Sequence, residues 1–534
     1  MPPRGFVIKL TAIAFLTLLP LWVTLALKWP IYTDFLFYST ILKTFSAQFW
    51  AGELYPRWLM NTNGGFGSPV FLFYAPFGYY IMSAFEWLSP IDPHGFGRLI
   101  IGLTLGLFIA GMTSYRWFKC HMPEKQAQTG AFLYASFPSL IYICYHGFSF
   151  AQVWAVAWAP FVLKTAHDVT IGKKNALPVF AAAYAILTFI HPLSVIAFGA
   201  IPCLYILVFS PPAKRLRTTF LAAIFAFLGV ASAAITLVPA IANKAYIASE
   251  YYTDRFGYAG SLFGTFTLLP ALGITLTLAG LYFELPKTKR ALNTHLRFWL
   301  AILVGMIALT SPLAKPLWDH VVLLQYLQGA WRLVPLMAPA VIFIAASWEP
   351  HVKSRIIFPF LSVTTLGVAS LYSANVFFYE TDRPAADILK YNLISAPEYK
   401  TRWMSAENLD FQIHLPESYE RMDAISFVNG TGHASIISQK PRRIHLHVDV
   451  ASENATIAIK RLYFPGWVAD DPHIAVQESH ALLAVHVPSG SHDIELTLPW
   501  FDGEKTGLII SLSALCILTG LTIATRKSLG ATAL

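Results

Sequence analysis

The stretch LTAIAFLTLLPLWVTLAL, Leu10–Leu27, runs 18 residues without an ionisable side chain, and Asp34 follows it after a short linker. As a helix, such a run rises roughly 27 Å, close to the ~30 Å of a bilayer's hydrocarbon core. A carboxylate this near the end of a membrane-crossing segment sits close to the bilayer surface, where an idle charge is costly to desolvate. Asp34 is therefore expected to be a functional acid; the competing reading is an ion pair or cap at the end of the first helix.

Similar runs recur, among them Phe220 to Ala240, Leu262 to Phe283, Ile356 to Phe378 and Leu508 to Ala524. With 56% hydrophobic, 15% aromatic and only 13% charged residues over 534 positions, and a mean hydropathy of +0.54, the chain exceeds what a water-soluble protein can bury. It reads as a polytopic α-helical membrane protein, with about 12–14 transmembrane helices by the length rule. Met1 to Leu27 reads as an uncleaved first helix rather than a secretory signal, because its apolar region is long and Ala26-Leu27-Lys28 is a poor cleavage pattern. Cys120, Cys144, Cys203 and Cys516 lack metal-ligand spacing, and Glu380 to Lys505 contains no cysteine. Neither a disulfide framework nor a zinc site is indicated.

The formal charge of +9 divides unevenly: residues 379–505 carry 11 Lys/Arg and 18 Asp/Glu, leaving 27 and 11 for the rest. The sequence thus separates into a helical membrane domain, 1–378, with a first outer loop at 28–68; an acidic, β-rich domain, 379–505; and a last transmembrane helix with a short basic tail, 506–534. Basic connectors at Arg116 to Lys125, Lys173-Lys174, Lys214 to Arg217, Lys287 to Arg297 and Lys353 to Arg355 are expected to be cytoplasmic. Nucleic acid is not an expected partner, since these clusters are small and separated by spans. Alternation then puts 379–505 and the Asp34 loop outside, and makes 176–210 two short helices turning near His191-Pro192. Pro69 to Leu88 conflicts with this scheme: if it crosses, Arg116 to Lys125 falls outside. Either it is re-entrant or a helix has been missed.

The acidic domain alternates apolar and polar residues at Ile444 to Val450 and Ile494 to Leu498, while Ala484 to Val487 leads into Pro488-Ser489-Gly490, which reads as a turn. An antiparallel β-sandwich is expected. Tyr463-Phe464-Pro465-Gly466-Trp467 reads as an aromatic corner packed under a turn, with sugar stacking as the rival.

Four pieces, Asp34-x3-Tyr38, Gly52-Glu53-Leu54-Tyr55-Pro56-Arg57-Trp58, Gly65-Phe66-Gly67-Ser68-Pro69 and Phe71-Leu72-Phe73-Tyr74-Ala75-Pro76, resemble the bacterial integral-membrane family labelled "6-pyruvoyl-tetrahydropterin synthase-related". Gln328-Gly329-Ala330-Trp331-Arg332-Leu333, Glu398-Tyr399 and Tyr463 to Trp467 look like further elements of that family. The resemblance implies a fold like that of the GT-C membrane glycosyltransferases, an outward active site, a polyprenyl-phosphate-linked sugar donor and a bacterial inner-membrane location. Tyr38 stands where the family often carries His, so a histidine relay there is in doubt, although tyrosine can still donate or accept a hydrogen bond.

Sugar transfer by single displacement needs a carboxylate to take the acceptor's proton and cations to hold the departing phosphate. Asp34 is the expected base. Arg57 and Arg332 are expected phosphate holders, since guanidinium pairs well with phosphate oxygens; the bland reading is snorkelling to lipid headgroups. Tyr38, Trp58 and His191, with Glu250, Asp254 and Arg255 in a polar aromatic loop, are expected to contact substrate. A divalent ion, Mg or Mn, could bridge Asp34 and the lipid phosphate. The expected acceptor is an envelope glycan, lipid or protein, and the bilayer is itself a partner. The alternatives are a transporter or flippase of lipid-linked glycans, and a non-catalytic membrane protein that binds envelope polysaccharide.

Overall fold

A computed structural model of the chain describes residues 2–26, 33–145, 149–247, 265–286, 292–327, 329–348, 384–394, 396, 399–404 and 422–531. It is mostly helical, with an antiparallel sheet before the last helix, Glu504–Ala531. Among the described residues four helices are long and apolar enough to cross a membrane: Phe96–Phe118, Pro192–Phe209, Ala330–Trp348 and Glu504–Ala524. Two pairs, Pro212–Ala231 with Ala234–Ala242 and Thr294–Leu309 with Pro312–His320, qualify only as spans bent by 65° and 74°. The described residues thus hold four to six candidates where about 12–14 were expected; the Ile356 to Phe378 run lies outside them.

The difference arises because apolar runs break. Leu10–Leu27 divides at Leu18, ahead of Pro20, into Arg4–Thr17 and Leu19–Ala26, since proline cannot donate within a helix. The first piece is built into the core: Phe6, Leu10 and Ala14 are buried, and the Phe6 ring stacks on Tyr115 at 4.5 Å. Phe220 to Ala240 breaks at Ser232-Ala233, and other elements satisfy the groups freed there. The Ile235 N–H donates to Ser511 Oγ at 2.9 Å, and the Ile235 carbonyl accepts from Arg57 Nη2 at 2.8 Å. Such rescue is what permits a broken helix inside an apolar bundle.

Residues 69–88 form only short pieces, Val70–Phe73, Phe77–Ser83 and the turn Glu86–Leu88. None is long enough to cross, so the conflict over Arg116 to Lys125 disappears. Residues 176–210 turn at His191 as expected, between Ala176–Ile190 and Pro192–Phe198.

Helix direction is fixed by a histidine cluster. The His121 ring lies 4.7 Å from His167 and 4.9 Å from His295, and Tyr205 Oη lies 3.3 Å from His167 Nδ1. This gathers the ends of Phe96–Phe118, Phe150–Thr170 and Ala200–Phe209 with the start of Thr294–Leu309, beside the basic connectors. Their opposite ends are marked by Arg98, Gln152 and Leu309.

The sheet has six antiparallel strands: β1 Ile425–Asn429, β2 Gly432–Lys440, β3 Arg443–Leu462, β4 Val468–Ala469, β5 Ala475–Ser479 and β6 Leu482–Thr497. The order is β1-β3-β6-β4, with β2 also on β3 and β5 on β6. β3 and β6 run through both halves, so all six strands share one hydrogen-bonded antiparallel sheet. Pro488-Ser489-Gly490 is no turn but lies inside β6, where the β3–β6 register shifts between Val450 and Asn454. A bulge admits the same residue types as a turn. It also moves the buried set of β3 from Ile444, Leu446 and Val448 to Ala455, Ile457 and Ile459, a change of parity that a regular strand cannot make.

Candidate functional site

At the end of the bundle opposite the histidines, an aromatic cluster forms where helix Thr33–Trp50, the 70–83 segment and Tyr399 meet. Asp34 is the second residue of that helix, and Tyr38 follows one turn later, in the i,i+4 relation that places two positions on one face. The Asp34 side chain lies outside the described atoms. Phe37 stacks on Tyr399, with centroids 6.0 Å apart and planes 2° from parallel. Tyr74 meets Tyr38 at 6.1 Å, Tyr399 at 6.2 Å and Tyr79 at 5.8 Å. Tyr74 is available because Val70–Phe73 stops there, before Pro76 begins the next short helix.

Arg332 supplies the positive charge. It sits in the turn Ala330–Leu333, and its guanidinium lies 4.6 Å over the Trp331 ring. Gln152 grips this turn from the start of helix Phe150–Thr170: Gln152 Nε2 donates to the Arg332 carbonyl at 2.7 Å, and Arg332 Nη1 reaches Gln152 Oε1 at 3.4 Å. The Arg332 charge acts on both Tyr74 and His191. His191 precedes Pro192, with Nδ1 2.8 Å from Ser194 Oγ. Of the sequence-derived set, Tyr38 packs on Tyr74, whose hydroxyl feels the Arg332 charge, and that charge also reaches His191; Tyr74, Tyr399 and Gln152 are additions. Tyr74 and Tyr399 stand in the stretches Phe71 to Pro76 and Glu398-Tyr399, where the sequence alone assigns them no role. Gln152 carried one signal, a lone amide in the otherwise apolar stretch Phe150 to Phe161.

Arg57 and Trp58 lie elsewhere, at a junction between the first loop, the sheet and the last helix. Arg57 is 1% exposed, and its Nε contacts Glu504 Oε1 at 3.0 Å; its guanidinium also lies 3.9 Å over Tyr55. Glu504 takes Arg442 as well, through Nη1 and Nη2, each at 3.0 Å. These contacts engage Arg57 within the fold. Trp58 is fully buried, with its ring 6.0 Å from Phe464 and 5.9 Å from the Arg461 guanidinium. Burial pulls Arg461 down to about 10. Phe464 and Trp467 are buried, which agrees with the aromatic-corner reading.

Glu250, Asp254 and Arg255 lie outside the described residues. Among the described residues no three His, Cys, Asp or Glu side chains gather to hold a metal ion. Neither protein-family models nor curated proteins give a match to this chain.

Proposed function

We propose that the chain is a membrane glycosyltransferase of the GT-C type, which moves a sugar from a polyprenyl-phosphate donor to an envelope acceptor at the outer face of a bacterial inner membrane. The observation that carries this reading is the packing of Tyr74 against Tyr38 and Tyr399, with the Arg332 charge acting on Tyr74, from parts of the chain far apart in sequence, beside the first turn that bears Asp34. A guanidinium edged by tyrosines suits a sugar phosphate: the cation faces the phosphate, and aromatic faces pack on the sugar's C–H surface.

In this reaction the acceptor hydroxyl attacks the sugar's anomeric carbon as the bond from that carbon to the phosphate oxygen breaks. Asp34 takes the hydroxyl's proton. Arg332, held by Gln152, offsets the charge that builds on the departing phosphate. Tyr38 and Tyr74 orient sugar hydroxyls.

The test is transfer in proteoliposomes supplied with polyprenyl-phosphate sugars, comparing wild type with Asp34→Asn at matched expression. General-base loss is expected to lower the rate about 10²–10⁴-fold while donor binding persists. Movement of lipid-linked donor across the bilayer without sugar transfer would replace the enzyme with a transporter.

A further inference from the structure

Two segments at the aromatic end of the bundle expose large apolar side chains beside the ends of longer helices. In the first, Trp50, Leu54, Trp87 and Ile91 are 61–82% exposed. They belong to one surface: Trp50 Nε1 donates to the Ser83 carbonyl at 2.8 Å, Tyr80 Oη donates to the Leu54 carbonyl at 2.7 Å, and Ser46 bonds Glu86. An ion cluster seats this surface on the Phe96–Phe118 helix. Arg98, 1% exposed in the first turn, pairs with Glu86 and lies 3.6 Å from Asp92, and Asp92 also caps the Gly97 and Arg98 N–H groups. Ile91 therefore stands five residues before that helix begins.

The second segment leaves the end of Thr294–Leu309. There Leu313, Val322 and Leu323 are 59–88% exposed, and Pro312–His320 is turned 74° from the helix before it. A piece bent that far from a membrane-crossing helix runs almost in the membrane plane. Its polar side carries a Lys315–Asp319 pair at 2.7 Å, while Trp318 is buried on the protein.

We propose that these two segments form a collar lying in the outer interfacial layer of the bilayer, with lipid as the occupant of their apolar faces. Both adjoin helix ends at the same end of the bundle, Phe96 of a candidate span and Leu309 of a 16-residue apolar helix, which sets them at the level of the bilayer surface. Tryptophans occur where such a layer favours them. The ionisable groups Glu86, Asp92 and Arg98 are spent on one another, so the first face offers lipid an apolar surface with no unpaired charge among them. A tilted, amphipathic, short helical element is the form that interfacial segments take. The collar rests on reading Phe96–Phe118 and Thr294–Leu309 as spans, and is independent of the sugar chemistry.

The test uses the full chain in lipid nanodiscs with its native cysteines replaced, labelled with an environment-sensitive fluorophore at Ile91→Cys or Leu313→Cys. A third label at Ile510→Cys, on the exposed face of the last helix, reports membrane insertion itself. Blue-shifted emission at 91 and 313, quenched more by lipids with a nitroxide near the headgroup than by one deep in the chain, is the expected result. Quenching by aqueous iodide alone, or protection from both quenchers, overturns the collar, the latter because protein would then cover the face. Absence of deep-nitroxide quenching at 510 overturns the spanning reading, and the collar with it.

Discussion

Arg57 Nε and Glu504 Oε1 meet at 3.0 Å in a nearly dry setting, joining the first loop to the first residue of the last helix across 447 positions of sequence. Glu504 also holds Arg442, so one carboxylate is shared by two guanidiniums and ties the sheet to the first loop and the last helix. Truncating it strands a buried charge. Glu504→Ala is expected to cost about 3–5 kcal/mol, read as a fall in thermal stability in detergent. In a double-mutant cycle with Arg57→Ala, the combined loss should be less than the sum of the two; strict additivity would show the pair to be energetically idle.

Glu53 supplies a pH dependence. Burial pushes it up to about 6, against the Gln48 hydrogen bond and the Arg442 and Arg461 charges that pull it down. A carboxyl that binds its proton more tightly folded than unfolded is most favourable when protonated. Its contribution is therefore lost as pH rises from about 4.5 to about 6, amounting to about 2 kcal/mol. Glu53→Gln keeps an acceptor for Gln48 Nε2 and removes the titration. Wild type should lose thermal stability relative to this variant across that window, and parallel profiles would remove Glu53 as the cause.

Gly67 and Trp58 make a tight joint. Gly67 has φ +81°, in the left-handed region, and a Cβ there would lie inside Trp58 Nε1. Gly67→Ala should destabilise the loop through both strain and overlap, whereas Trp58→Ala should cost about 3–5 kcal/mol through the cavity it leaves. Both should speed limited proteolysis between the helices and the sheet. Trp58→Phe should partly rescue Gly67→Ala, since only the overlap is relieved.

These features differ in how far the sequence announced them. Apolar runs exposed the mostly helical character of the chain and its candidate spans, and alternation at Ile444 to Val450 exposed strand β3. The breaks were hidden because their compensation is distant: Ile235 draws on Ser511, 276 positions away, and on Arg57, 178 positions away. Pro488-Ser489-Gly490 was misread because turn and bulge share residue preferences and only the partner strand separates them. The same limit governs the site. Tyr38, His191 and Arg332 could be singled out by chemistry near span ends, but nothing local to Arg57 reveals its counter-ion.

Gln152 and Arg332 provide the sharpest functional contrast. Gln152 is 1% exposed and holds both the carbonyl and the guanidinium of Arg332. Arg332→Lys keeps a positive charge but loses the planar fork. If Arg332 steadies the departing phosphate, this change should lower kcat and kcat/KM together, by about 100-fold or more, as for loss of one transition-state donor. Gln152→Leu preserves the charge and frees the arginine's orientation, so a smaller fall in kcat is expected, with donor KM little changed. Steady-state transfer in proteoliposomes separates these cases. Equal turnover by wild type and both variants would move the phosphate site away from Arg332, and a rise in KM alone would make Arg332 a ground-state anchor for the donor.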